Sequence, residues 1–360
     1  MSTQRNYGID LLRLVAMFFV VMLHVLGQGG ILAHATGIPY ALCWLFEIVA
    51  YCAVDCYAII SGYVCYREEE TPYRYSNYLA FWVPVFVYSF GITLMGYLLR
   101  PDVVETSVLV RSVLPVASAQ YWYVNAYTGL FFLIPWLNRL LRHTTAAERN
   151  RLVLLLFAVF SVYATFSNAW NDVFRLIGGY SFVWLVLLYI VGAWIKCNRI
   201  DEKKSSLWWC CLFAGCILLT WGDKMLRGDK PSFLVSYVSF PVVLMALSLV
   251  VLFSRLRFPA KGIAFIRMFS PAAFGVYLIH TQTLIWKHSM ADAFVWVASC
   301  RVRLLPLAVF GCVFAIFSVC LAIELLRQTV FRVLRLNQLI KWIQARCDAA
   351  GGRLVRRICG

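Results

Sequence analysis

The chain has 360 residues, of which 62% are hydrophobic and 14% charged, and its formal charge is +16. A soluble domain is nearer half apolar and a quarter charged, so an ordinary soluble globule is excluded. In so apolar a chain the excess of basic residues belongs to membrane topology, and no nucleic-acid partner is expected.

About 20 helical residues cross the roughly 30 Å of hydrocarbon in a bilayer. The apolar runs are continuous rather than alternating, which predicts helices and not a barrel. In chain order the spans fall near 9–28, 39–65, 77–99, 120–141, 152–170, 176–196, 207–222, 233–253, 263–286 and 304–326. The run at 207–222 is the shortest and stops at Asp223 and Lys224. Asp10 and Arg13 interrupt the first run and no small-residue cleavage pattern follows it, so it reads as a retained span and not a signal peptide. The fold class is therefore all-α: a polytopic membrane bundle of about ten helices. Residues 1–327 form the transmembrane domain and 328–360 a basic tail. From Thr329 to Arg346 the tail mixes apolar and basic residues, either as an amphipathic helix on the inner leaflet or as a plain positive tail.

Most of the 33 Lys and Arg residues fall in the even-numbered connections and at the two ends, among them Arg67, Arg74, Arg139, Arg142, Arg149, Lys196 and Arg255. The odd-numbered connections hold fewer. Both termini are thus expected in the cytoplasm, in a multi-pass protein of a bacterial cytoplasmic membrane. The 13 cysteines form no metal-ligand pattern, and no disulfide or metal site is assigned. No internal repeat is visible.

Ionisable groups within spans are costly and mark function by default. Asp10, Arg13 and His24 lie in the first span, Glu47 and Asp55 in the second, His280 in the ninth and Glu324 in the tenth. Arg13 and His24 fall on one helical face, about 16 Å apart along the axis. Asp10 lies one turn before Arg13 and pairs with it. His280 sits at a depth matching His24, so it either lines one cavity with His24 or ties helices together. Tyr277 lies one turn below His280. Asp55 and Gly62 share a face, and Ser61-Gly62 lets a ligand approach the backbone. Glu324 is expected to snorkel with Arg327. Tyr121, Asn125 and Thr128 make a polar face near the outer end of the fourth span. They mark either an acceptor entrance or an ordinary interfacial belt.

Four segments carry a family resemblance. Gly8-Ile-Asp-Leu-Leu-Arg13, ten residues and then His24 resembles the first helix of the membrane acyltransferase-3 family. Val54-Asp55 followed by Ser61-Gly62-Tyr63 is similar to its second-helix pattern, with Cys56-Tyr57 replacing the usual aromatic pair. Tyr121-Trp122-Tyr123 with Pro135, and Phe274-Gly-Val-Tyr-Leu-Ile-His280 after Ser270, look like two further family segments. The matches run from about residue 7 to 285. The chain lacks the soluble cofactor domain of the racemase branch, so no racemase activity is expected.

The resemblance implies O-acylation of a cell-envelope glycan or its lipid-linked precursor. It implies acyl-CoA, usually acetyl-CoA, as co-substrate, with no bound cofactor. His24 is then the general base and Asp55 its orienter, with Glu47 a rival for that role. Arg13, Arg74 and the backbone at Ser61 and Gly62 are the donor-binding candidates. Trp122, Asn125, Tyr277 and His280 support or line the cavity. Direct transfer and an acyl-histidine intermediate both remain open. The competing class is a transporter or flippase of a glycan intermediate.

Overall fold

The computed structural model describes residues 5–359 apart from 71, 103, 169, 170 and 229, with side chains described as far as residue 351. The described residues form helices and no strands. Asn6 starts α1 (Tyr7–Leu26) by accepting hydrogen bonds from the Gly8 and Ile9 amides, which satisfies donors a helix start leaves free. The second span is two helices, α2 (Gly37–Tyr51) and α3 (Ala53–Cys65), broken at Cys52. Then follow α4 (Tyr78–Leu99), α5 (Trp122–Arg142) and α6 (Ala146–Phe157), whose last turns widen into a π-helical stretch at Ala158–Tyr163. A Thr145/Glu148 capping box starts α6 earlier than residue 152. The expected end of that span at 169–170 lies outside the described residues. Further helices are α7 (Phe182–Cys197), α8 (Ser206–Arg227), α9 (Phe240–Ser254), α10 (Ala260–Phe269), α11 (Ala273–His280), α12 (Leu305–Val333) and α13 (Leu336–Cys359), and shorter ones such as Thr106–Val113 lie in the connections.

All ten expected spans are present as helical segments, and the chain is a polytopic helical membrane protein. Among the described residues seven helical stretches are long and apolar enough to cross a bilayer, and α7 and α9 are shorter apolar helices. The expected short span at 207–222 runs to Arg227. The charges at its end are satisfied in place: Asp223 pairs with Arg227 at 2.7 Å, and the Lys224 ammonium donates to the Gly228 carbonyl at 2.7 Å and lies over the Trp44 ring. The ninth span is not continuous to 286. Ser270–Ala272 tightens into a 3-10 turn between α10 and α11, and the chain breaks again at Thr281-Gln282 before resuming. The spans expected at 176–196 and 233–253 begin only at Phe182 and Phe240. Glu324 does not snorkel. It is buried, gripped by the Arg327 guanidinium at 2.6 and 2.8 Å, and accepts the Tyr88 hydroxyl at 2.6 Å. The last helix begins at Leu336, after α12 has run on to Val333.

Side-chain hydrogen bonds stitch the chain into two separate ends. At one, Asn6 reaches the Ser254 carbonyl, Arg267 the Tyr7 hydroxyl, Asn138 the Cys65 carbonyl, Lys196 the Tyr66 carbonyl and Gln344 the Ser76 carbonyl. At the other, Gln28 reaches the Trp286 carbonyl, Tyr40 the Gly228 carbonyl and Gln120 the Thr283 hydroxyl. The first end holds the N-terminus and most basic residues, and it is called the inner end below. Helices α1, α3, α7, α9 and α11 are central. The outward faces of α8 and α12 expose Leu218, Leu226, Leu307 and Phe314, as a lipid-facing surface does.

Candidate functional site

Along α1, Arg13, Met17, Val20 and His24 follow one another at spacings of three or four, which places them on one face, and Gln28 continues the line in the turn after the helix. Met17, Val20, His24 and Gln28 line a cavity of ≈ 510 Å³. Other walls come from Glu47 and Tyr51 of α2, Tyr57 of α3, Tyr121–Tyr123 at the start of α5, and Phe274 and Tyr277 of α11. The irregular segments before α7 and α9 add Tyr180 and Tyr237, and Trp286 comes from beyond the break after α11. His24 sits in the last turn of α1, towards the outer end. Arg13 stays at the inner end. Its guanidinium meets Asp10 at 2.6 Å, as expected, and Asp10 also takes Arg5 at 2.5 Å. The Tyr57 hydroxyl donates to the Arg13 carbonyl at 2.6 Å, tying α3 to α1 between Arg13 and the cavity.

The two histidines meet. His24 Nδ1 lies 2.8 Å from His280 Nε2, and His280 Nδ1 lies 2.5 Å from the Val276 carbonyl oxygen. A carbonyl only accepts, so His280 carries its proton on Nδ1. A neutral imidazole has one N–H, so His280 Nε2 accepts and His24 Nδ1 donates. In the neutral pair His24 therefore keeps a free lone pair on Nε2, the arrangement a general base needs. The Trp286 ring stands edge-on to His24 at 4.8 Å. The Gln28 amide holds the Trp286 carbonyl, and the Asp292 amide holds the Gln28 carbonyl, so the outer ends of α1 and the ninth span are laced beside the pair. His280 is 1% exposed and does not line the cavity: it stands behind His24 as its partner.

Other expected roles are redrawn. Asp55 is fully buried and accepts from the Trp184 indole at 3.1 Å. It faces α7 and makes no hydrogen bond to His24, so the place expected for it is taken by His280. Gly62 does not face a ligand either. A side chain there would overlap the Tyr189 carbonyl and the Ala193 amide, and one at Gly192 would overlap the Ile59 carbonyl and the Tyr63 amide. The two glycines are where α3 and α7 touch backbone to backbone. The Ser61 hydroxyl donates to the Tyr57 carbonyl of its own helix. Asn125 donates to the Val116 carbonyl, and Thr128 meets the Tyr78 hydroxyl, so these two fasten neighbouring segments, while Tyr121, the third member of that polar face, lines the cavity. Trp122, Tyr277 and Glu47 do line it.

Arg74 lies in a second, larger cavity of ≈ 870 Å³ at the inner end, with Arg67, Arg139, Arg142, Tyr73, Tyr75 and Tyr127. An aromatic septum stands between the two linings. Tyr123 of the outer cavity stacks with Tyr127 of the inner one at 6.3 Å, and Phe81 touches both Tyr127 at 5.0 Å and Phe274 at 5.2 Å.

Sequence reasoning missed Trp286, Gln28, Tyr180 and Tyr237. The first two had a signal, the polar Thr281-Gln282 pair that breaks the ninth span and the α1 face continued to Gln28. The two tyrosines lie on irregular segments read as helix and had none. No curated protein and no solved structure gives a match. The acyltransferase-3 family model, described as an acyltransferase domain, matches residues 6–325. This stretch holds α1, both histidines and both cavities, and the chain belongs to that family of membrane acyltransferases.

Proposed function

We propose that the protein moves an acyl group, acetyl in the first instance, from cytoplasmic acyl-CoA to a hydroxyl of a cell-envelope glycan or its lipid-linked precursor, in a bacterial cytoplasmic membrane. The observation that carries this is the free Nε2 of His24 in the outer cavity, with its tautomer set through His280. A cavity of this size suits a small substrate or part of a larger one.

In the proposed reaction, His24 Nε2 takes the proton of the acceptor hydroxyl as that oxygen attacks the thioester carbonyl. The tetrahedral intermediate collapses and the C–S bond breaks. The departing thiolate recovers the proton from His24, giving an ester and free CoA. During the step the His24 Nδ1–H bond to His280 becomes charge-assisted, which stabilises the imidazolium. The four arginines of the inner cavity are suited to CoA phosphates, and the slim arm would pass the septum along the α1 face towards His24. The Arg13 charge is half satisfied by Asp10, which suits it to guide the arm rather than to hold a phosphate alone.

Membership of an acyltransferase family and a base whose Nε2 has no hydrogen-bond partner among the described residues both weigh against a transporter that performs no chemistry. The test is purified protein with ¹⁴C-labelled acetyl-CoA, followed by mass spectrometry of envelope glycans from cells with and without the protein. Acetyl esters that depend on the protein and on His24 are expected. Transport of a glycan intermediate without label transfer would reject the proposal.

A further inference from the structure

Glu47 is the one carboxylate lining the outer cavity among its described residues. It is 8% exposed, and its Oε2 is buried with no hydrogen-bond partner among the described residues. Leaving a carboxyl oxygen unpaired in a membrane interior is costly. Asp55 Oδ2 is unpaired as well but is closed in away from the cavity, so Glu47 is the unpaired carboxyl within reach of a ligand there. Beside it is a continuous aromatic wall. Tyr51 and Tyr237 lie 4.8 Å apart, Tyr237 and Tyr180 5.2 Å, and Tyr180 and Trp122 4.5 Å, with the Trp122 and Tyr237 rings only 19° from parallel. Tyr180 is 46% exposed and marks the outer mouth.

From this juxtaposition we propose that Glu47 and the wall form a subsite for a pyranose ring of the acceptor, Glu47 accepting hydrogen bonds from neighbouring ring hydroxyls while an aromatic face covers the ring's C–H side. A carboxylate has acceptor sites for two hydroxyls at once, and an aromatic face offers apolar area of matching size. The same walls carry neutral amide and hydroxyl groups, Gln28 and Thr283 among them, which fits a polyol better than a lone cation. The subsite shares its cavity with His24, so a ring held there presents a further hydroxyl towards Nε2. This rests on the acyl-transfer proposal only for what happens to that hydroxyl.

The test is saturation-transfer NMR on the full chain in a sugar-free detergent. The probes are methyl β-D-glucopyranoside, methyl β-D-galactopyranoside and methyl N-acetyl-β-D-glucosaminide, with sorbitol as the acyclic control. Ring C–H protons of at least one pyranoside should receive saturation and sorbitol should not. Glu47→Gln should weaken that binding at least tenfold, with acetyl-CoA affinity kept as the check on folding. If Glu47→Gln does not fold, Tyr237→Leu against Tyr237→Phe carries the test, with loss expected only for Leu. Equal binding by Glu47→Gln, equal binding of sorbitol, or no pyranoside binding overturns the subsite. The binding needs no donor, so pyranoside binding without any acyl transfer would sink the catalytic proposal and leave the subsite standing. Acyl transfer without ring binding would do the reverse.

Discussion

Replacing His280 tests the histidine pair most directly, because it changes no cavity-lining group. His280→Leu removes the acceptor of the 2.8 Å bond from His24. Two effects follow. The His24 tautomer is no longer fixed, and the imidazolium formed in the reaction loses a charge-assisted bond. A hydrogen bond to a charged group contributes about 1.5–3 kcal/mol, and each 1.36 kcal/mol is tenfold in rate. kcat should therefore fall about 10- to 150-fold at saturating acetyl-CoA. His24→Ala should cost about 10²–10⁴-fold, the usual worth of a general base. Residues that act as one unit are not additive, so the double variant should match His24→Ala alone. His280→Gln, which restores an acceptor oxygen, should recover part of the loss. The assay is acyl transfer by purified variants, with acetyl-CoA affinity and thermal unfolding measured in parallel. An unchanged kcat in His280→Leu, or losses that multiply in the double variant, would refute the dyad and leave His280 a helix fastener.

Arg13→Ala should weaken acetyl-CoA binding by about tenfold, the lower end for a charge-assisted bond because Asp10 already occupies part of the guanidinium. Unchanged affinity by calorimetry would remove Arg13 from the donor path. Gly62→Val should lower thermal stability, since overpacking costs about 1–3 kcal/mol or more and here the clash is with α7 backbone. A loss of donor affinity at unchanged stability would instead return Gly62 to the donor site. Reporter fusions after Arg142 and after Gly351 should report cytoplasm, and one after Arg111 the far side. A reversed pattern would move Arg13 and the four-arginine cavity to the wrong side for cytoplasmic CoA.

The spans were legible because hydropathy and length decide them, and the face shared by Arg13 and His24 was legible because helical spacing does. The meeting of His24 and His280 was half legible: equal depth followed from counting residues, while contact depended on α11 ending at His280. Asp55 and Gly62 were misplaced for a common reason. A polar or small residue in a span predicts a close approach by something, and spacing alone does not say whether that is a ligand or another helix. Trp184 and the backbone of α7 proved to be the partners. Glu47 read as a weaker duplicate of Asp55. Each keeps one buried oxygen without a hydrogen-bond partner among the described residues, and only the tertiary structure shows that Glu47 lines the cavity and Asp55 does not.

The two cavities differ in charge in a way that matches the two substrates proposed. The inner one concentrates Arg67, Arg74, Arg139 and Arg142 against one carboxylate, Glu70, which meets Arg142 at 3.7 Å, while the outer one holds neutral polar groups, a histidine and a single carboxylate. A polyanionic CoA head is favoured only in the first, and an uncharged polyol is at no disadvantage in the second. A reaction joining them needs one slender group to cross between, and α1 is the helix that runs the distance, with Arg13 below the septum and His24 above it. The septum of Tyr57, Tyr123, Tyr127, Phe81 and Phe274 then has a chemical consequence. An activated thioester beside a free base is open to hydrolysis, and under the proposed reaction the aromatic rings would exclude water on the inner side of His24 while a bound acceptor would have to exclude it at the outer mouth.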